Sequence, residues 1–287
     1  MNLTLSLPAP GKINRMLHIL GKRSDGYHQL QTLFQFIDLA DQLYFTPTAT
    51  SGIEVDCPDL DLAMEDNLVY RAAKHLHQFM PDQGVQIRIE KRLPLGGGLG
   101  GGSSNAATTL IALNQLWHLD LSLDTLAKIG LNLGADVPVF IRGQAAWAEG
   151  VGERLLPVTL EQQPCVILHP GCHCSTGALF QDPRLPRQTP PISVDEALHL
   201  TGSNNFTALA LTLYPALNAC FDWVKQQGHT PCLSGSGACV FVLCENLTQA
   251  ELLVQNFPDQ LAGAATQAWI TQTQNLSPCH ALLSQPL

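Results

Sequence analysis

Six glycines occupy seven consecutive positions, Gly96 to Gly98 and Gly100 to Gly102, and lead without a break into Ser103, Ser104 and an apolar stretch with helical spacing. Glycine loses more conformational freedom on folding than any other residue, so such a run belongs where the backbone needs unusual dihedrals or where another group must approach it closely. Bare amides followed by a helix N-terminus make an anion site from main chain alone, and phosphate is the group that suits it. A flexible linker is the plain alternative, but linkers do not run straight into a helical pattern of this kind. Gly96, Gly98 and Gly101 satisfy G-x-G-x-x-G, a match that six glycines make nearly automatic. Lys91-Arg92-Leu93-Pro94 interrupts the preceding strand where a dinucleotide fold would continue it. The loop ends Gly-Ser-Ser, without the lysine of a P-loop. The cradle is therefore of a third type, and its cations must come from elsewhere in the chain.

Lys12 and Asn14 fall on one side of a predicted strand, placing a compact cation suited to phosphate oxygens beside a neutral donor and acceptor. An ordinary exposed lysine is the competing reading. Asp136 is a single carboxylate within Leu133-Gly134-Ala135-Asp136-Val137-Pro138-Val139-Phe140. A charge among apolar neighbours is costly to desolvate without a partner or a task, which leaves a helix cap or a catalytic carboxylate. Tyr27 and His28 follow a turn at Gly21 to Gly26, where an aromatic ring and an imidazole can bind a flat ligand or simply pack. Cys172, His173 and Cys174, with His169 nearby, lack the second pair of a zinc site and read as a thiol-rich loop. Leu233-Ser234-Gly235-Ser236-Gly237-Ala238 is a weaker glycine turn, consistent with a hairpin or a βα turn.

Alternation predicts strands at Leu3 to Leu7, ended by Pro8 to Gly11, then at Lys12 to Leu20, Leu33 to Ile37, Leu43 to Phe45, Ile53 to Cys57 and Val85 to Ile89. Helices are expected from a cap at Asp66 or Asn67 to about Met80, along the face Ala106, Leu110, Leu113 and Trp117, and from Ser122 over Leu123 to Leu131. Ala145 to Ala148 reads as a strand. The pattern restarts with a strand at Val166 to His169 and a helix over Ala208 to Gln227 kinked near Pro215. A strand ending at Leu243, a helix from Thr248 and a strand near Trp269 follow, an order that suits a ferredoxin-like layer.

The 287 residues suggest two domains or one large one, and an apolar content of 45% is ample for a core. With 15 Lys and Arg and a formal charge of -9, the chain lacks the basic surface that nucleic acids or anionic membranes require. The cations are unevenly placed: Lys12, Arg15, Lys22 and Arg23 gather near the start, and Arg88, Lys91 and Arg92 precede the glycines. This distribution points to a small phosphorylated ligand. Nine cysteines, an odd number, indicate free thiols and a cytoplasmic setting. No signal peptide is expected from MNLTLSLPAP, and no apolar run approaches the ~18 residues of a membrane span.

Pro8-Ala9-Pro10-Gly11-Lys12-Ile13-Asn14, the Pro94 to Ser104 loop and the Leu233 to Ala238 turn together resemble the three signatures of the GHMP small-molecule kinases. DGYHQLQTLFQFIDLAD and LGADVPVFIRGQAAWAEGVGE resemble the branch that acts on a cytidine diphosphate-linked methylerythritol, and the likeness covers nearly the whole chain in order. It implies an α+β fold, with a domain like ribosomal protein S5 domain 2 over residues 1–155 and a ferredoxin-like domain over 156–287. It implies transfer of the γ-phosphoryl group of ATP, with Mg²⁺, to the C2 hydroxyl of that alcohol in non-mevalonate isoprenoid synthesis. By the same resemblance Lys12 and Asp136 are catalytic. Pro94, Leu95, Gly96, Gly97, Gly98, Leu99, Gly100, Gly101, Gly102, Ser103 and Ser104 hold ATP, with Asn67 and Lys91 beside the adenine. Asn14, Tyr27, His28 and Phe180 bind substrate, with the rings of Tyr27 and Phe180 sandwiching the base and the imidazole reading its edge. The metal ligands are unassigned, although other phosphate loops suggest Ser103 or Ser104. A related kinase acting on homoserine or a mevalonate derivative is the near rival, disfavoured because an aliphatic substrate needs no base sandwich. A nucleotide-binding regulator without turnover is the distant one. The assembly is a monomer or a homodimer.

Overall fold

The computed structural model describes residues 4–59 and 62–284, so the predicted strand position Leu3 lies outside the described residues. The prolines near the start do not end a strand. β1 (Leu5–Lys22) runs through them, paired antiparallel with β2 (His28–Thr48), with its register shifting between Pro10 and Lys12. Among the described residues β1 has no ladder partner other than β2, and an edge strand tolerates residues that cannot donate. β2 likewise merges the two short strands predicted within it. Asp38, Asp41 and Gln42 fall between them, yet Asp41 is fully buried because its carboxylate has partners of its own.

β3 (Gly52–Asp56) lies parallel to β4 (Gly84–Glu90), and β4 pairs antiparallel with β2. Between them α1 (Leu68–His77) starts at Asn67, whose Oδ1 accepts from the Val69 amide at 2.9 Å. The predicted face of the next helix, α2 (Gly101–Leu116), was Ala106, Leu110, Leu113 and Trp117. The helix is instead enclosed all round, with every residue from Ser104 to Leu113 buried, because it is packed against β1, α1 and other helices. Those others are α3 (Leu123–Leu131), capped by Ser122, and α4 (Val137–Arg142). β5 (Ala146–Gly150) pairs with both β2 and β6 (Arg154–Pro157).

The second half contains β7 (Pro164–His169), α5 (Thr176–Gln181), α6 (Val194–Leu198), α7 (Thr207–Leu213), α8 (Pro215–Gln226), β8 (Cys232–Leu233), β9 (Val240–Leu243) and α9 (Leu247–Asn256). The short hairpin β10 (Gln260–Leu261) and β11 (Ala264–Ala265) precedes β12 (Gln267–Gln274) and α10 (Pro278–Leu283). Pro215 does not kink one helix; it starts α8, where its missing N–H is no loss. β8 and β9 form an antiparallel hairpin, which settles the nature of the second glycine turn. β12 joins the two halves: it pairs with β7 over Gln267 to Gln272 and with β2 at Thr273 and Gln274, so the sheet is continuous. Cys279 of α10 then returns to the core formed by α1, α2 and β4. Among the described residues no helix is long and apolar enough to cross a membrane.

Asp41 anchors the approach to the glycine run. Its Oδ1 accepts from the amides of Arg92 and Leu93, both at 2.8 Å, and its Oδ2 is paired with Lys91. Removing one member of a buried pair strands the other charge, so Asp41→Ala should lower unfolding free energy by about 3–5 kcal/mol in denaturant titrations. A loss of the size typical of a surface pair, below about 1 kcal/mol, would contradict this account.

Candidate active site

Leu99, the one apolar residue within the glycine run, is buried among Ile13, Ile37 and Cys239 and pins the loop at its middle. On either side of it the loop turns its carbonyls toward the protein. Leu99 O accepts from the Lys12 amide at 2.9 Å, Gly97 O from the Cys239 amide at 3.1 Å, and Gly98 O from Ser234 Oγ at 3.0 Å. The amides from Gly98 to Ser103 donate to no acceptor among the described residues, and they open onto the N-terminus of α2. Gly98 and Gly100 both have φ of 74°. A Cβ at Gly98 would collide with the Ser234 carbonyl, and one at Gly100 would lie 2.9 Å from the Phe140 ring. Glycine is therefore required at both positions by dihedral and by space.

Lys12 extends beneath this loop from the bulged part of β1 and is almost fully buried. Its Nζ donates to Asn14 Oδ1 at 2.6 Å and to Gly98 O at 2.9 Å, and lies 3.4 Å from Asp136 Oδ2. Asn14 is held in turn by donation from its Nδ2 to Thr32 Oγ1 at 2.8 Å. Asp136 precedes α4 but makes no side-chain capping bond, so of the two roles open to it the cap is absent. Its carboxylate stays about one-third exposed, next to the lysine.

A single cleft of about 770 Å³ collects Lys12, Asn14, Tyr27, His28, Gly98, Gly100, Ser103, Asp136 and Phe180. The remaining loop residues do not line it. Lys91 and Leu68, the latter next to Asn67, lie on the other side of the loop, each 3.5 Å from where a Cβ would sit at Gly101 and Gly102 respectively. Asn67 itself caps α1, and Lys91 is committed to Asp41. The Ser104 hydroxyl is buried without a partner among the described residues. His173 lies directly over Gly96, which gives the thiol-rich loop a structural place. Among the described residues no three His, Cys, Asp or Glu side chains are grouped to hold a metal ion.

The aromatic pair differs from the expected one. Phe180 is stacked on His28, with ring centroids 4.5 Å apart and planes at 19°, while Tyr27 stands largely exposed on the cleft wall. Sequence reasoning missed Arg187, which lines the same cleft and donates from Nε to His28 Nε2 at 3.2 Å. It lies in an irregular connection where no periodicity singles it out. Thr32, Ser234 and Ser236 were also passed over as site residues, although the last two belong to the second glycine turn.

Residues 67–144 match the family model described as GHMP kinases N terminal domain, and residues 191–263 match the one described as GHMP kinases C terminal. A protein from a Marinomonas species named 4-diphosphocytidyl-2-C-methyl-D-erythritol kinase is 47% identical over 98% of this chain and 91% of its own length. One of the same name from Chromohalobacter salexigens is 48% identical over 97% of this chain and 94% of its own. A crystal structure of 4-(cytidine 5'-diphospho)-2C-methyl-D-erythritol kinase superposes with a TM-score of 0.80 at 34% identity, covering 94% of this chain and 99% of that one.

Burial holds the imidazoles of His18, His28, His169 and His280 below their ordinary pKa, with Arg187 and Lys22 adding to the effect at His28. The unfolded chain therefore takes up protons first as pH falls below about 6.5, and stability present at neutral pH is lost through the lower, folded-state values. Urea titrations at stepwise pH should show unfolding free energy declining from about pH 7 to about pH 5.5. A flat or rising profile would overturn this.

Proposed function

The chain belongs to the GHMP kinases, and from that premise we propose that it transfers the γ-phosphoryl group of ATP to the C2 hydroxyl of 4-diphosphocytidyl-2-C-methyl-D-erythritol, in the non-mevalonate route to isoprenoid precursors. The observation that carries this reading is the Lys12–Asp136 pair, 3.4 Å apart, set in one cleft with the free amides of the glycine loop and with Tyr27, His28 and Phe180. Phosphoryl transfer demands positioning and charge neutralisation more than covalent help. Amides from Gly98 to Ser103 and the N-terminus of α2 suit the phosphate chain of ATP, with the adenine directed toward Asn67 and Lys91. Asp136 takes the proton of the attacking hydroxyl. Lys12, oriented by Asn14 and Gly98 O, stabilises the negative charge that develops between donor and acceptor. Ser103, which lines the cleft beside Asp136, would help to hold an Mg²⁺, which would supply further charge neutralisation.

Tyr27, exposed on the cleft wall opposite no ring of its own among the described residues, favours a substrate with a flat base over homoserine or a mevalonate derivative, which would leave that ring without a partner. All nine thiols are free, which fits a reducing compartment such as the cytoplasm.

ADP release measured with the cytidylylated methylerythritol, homoserine and mevalonate should respond to the first alone. Turnover of either of the others in its place would reassign the substrate. Asp136→Asn should lower kcat by about 10²–10⁴-fold while nucleotide binding, read by calorimetry, is kept. A near-normal rate would remove Asp136 from the mechanism.

A further inference from the structure

Arg187 uses its guanidinium in four directions. Nη2 donates to the carbonyls of Phe180 at 2.6 Å and Asp182 at 2.8 Å, Nη1 to the carbonyl of Leu185 at 3.1 Å, and Nε to His28 Nε2 at 3.2 Å. The first three bonds gather the end of α5 and the segment after it around one side chain, and the fourth ties them to the start of β2. Phe180 is stacked on His28 and meets Phe206 edge-on at 4.9 Å, so His28 is held by a ring on one face and by a cation at one nitrogen.

A guanidinium has donors only, so the nitrogen it bonds must offer a lone pair. His28 is then neutral, and its proton sits on Nδ1, the nitrogen without a protein partner among the described residues. Without Arg187, nothing among the described residues would select between the two neutral tautomers.

We propose that Arg187 is a positioning residue for base recognition: it fixes His28, which lines the cleft, as an Nδ1–H donor, so that the site accepts a cytosine and rejects a uracil. This rests on the assignment of a cytidylyl substrate made above. A donor aimed at the middle of a pyrimidine's pairing edge meets an acceptor in cytosine, N3, and another donor in uracil, N3–H. A site built around one such bond discriminates strongly because the mismatched partner leaves two buried donors facing each other. The charged groups that act on His28 are Arg187, from the segment after α5, and Lys22, from the paired strand β1; Phe180 and Phe206 bring none. Both are cations and both oppose the imidazolium, as does burial, so the tautomer and the neutral state are maintained together.

The test needs isotope-labelled protein and two acceptors, the cytidine and uridine diphosphate esters of the same alcohol. Nitrogen-15 spectra of the wild-type protein should show His28 protonated at Nδ1 at neutral pH, and kcat/KM should favour the cytidine ester. Arg187→Gln should give a mixture of tautomers and a His28 titration moved up toward the ordinary histidine value. Preference for cytidine should fall about tenfold, the loss appearing in KM with kcat near normal. His28 protonated at Nε2 in the wild type would overturn the proposal, as would an unchanged base preference in a folded Arg187→Gln protein. If that variant does not fold, the wild-type tautomer and the wild-type base preference decide the matter together. If the wild type phosphorylates neither ester, the substrate assignment fails, while the spectra still report independently on what Arg187 does to His28.

Discussion

A buried ammonium must be surrounded by acceptors or it destabilises whatever contains it. Lys12 meets this demand with three partners from three parts of the chain: Asn14 beside it on β1, the Gly98 carbonyl in the loop and the Asp136 carboxylate ahead of α4. Each partner belongs to an element that the rest of the fold holds in place. The strand is fixed by its pairing with β2, the loop by Leu99 and by the β8–β9 hairpin, and Asp136 by the turn that leads into α4. The buried charge thus also brings the glycine loop and the turn ahead of α4 into register.

The loop divides its main chain between two uses. Its carbonyls satisfy Lys12, Ser234 and Cys239, while its amides point away from the protein's own acceptors. Alternating positive φ at Gly96, Gly98 and Gly100 produces this division. Side chains at those positions would be strained in these dihedrals, and a Cβ would meet His173 at Gly96, the hairpin at Gly98 and Phe140 at Gly100.

The parts legible in the sequence were those with a local physical signature. The glycine run and the caps at Asn67 and Ser122 each depend on neighbours within a few residues, and each is where the pattern placed it, whereas strand alternation marked paired segments without their ends. Long-range constraints were not legible. Asp41 interrupted an alternating pattern, and only partners some fifty positions away explain its burial. The enclosure of α2 likewise depends on elements that cover it from both sides, so one apolar stripe was an incomplete guide. Asp136 is ambiguous from its neighbours alone, because a cap and an acid–base group leave the same local trace; the missing capping bond removes the first. Arg187 left no trace at all, since its partners are mostly main-chain carbonyls that any sequence would offer.

The pairing of β12 with β2 and the return of Cys279 to the first core bear on how the chain is made. During translation the strand carrying Ile37 leaves the ribosome long before the residue it must pair with, Thr273, has been polymerised. The nascent chain can form its hairpins and helices early, but one flank of the first sheet stays open until the late segment arrives. Apolar surface is exposed over that interval, and such surface is what chaperones bind and what misassembles between neighbouring chains. The same strand that joins the two halves therefore sets the moment at which the nascent polypeptide can finish folding.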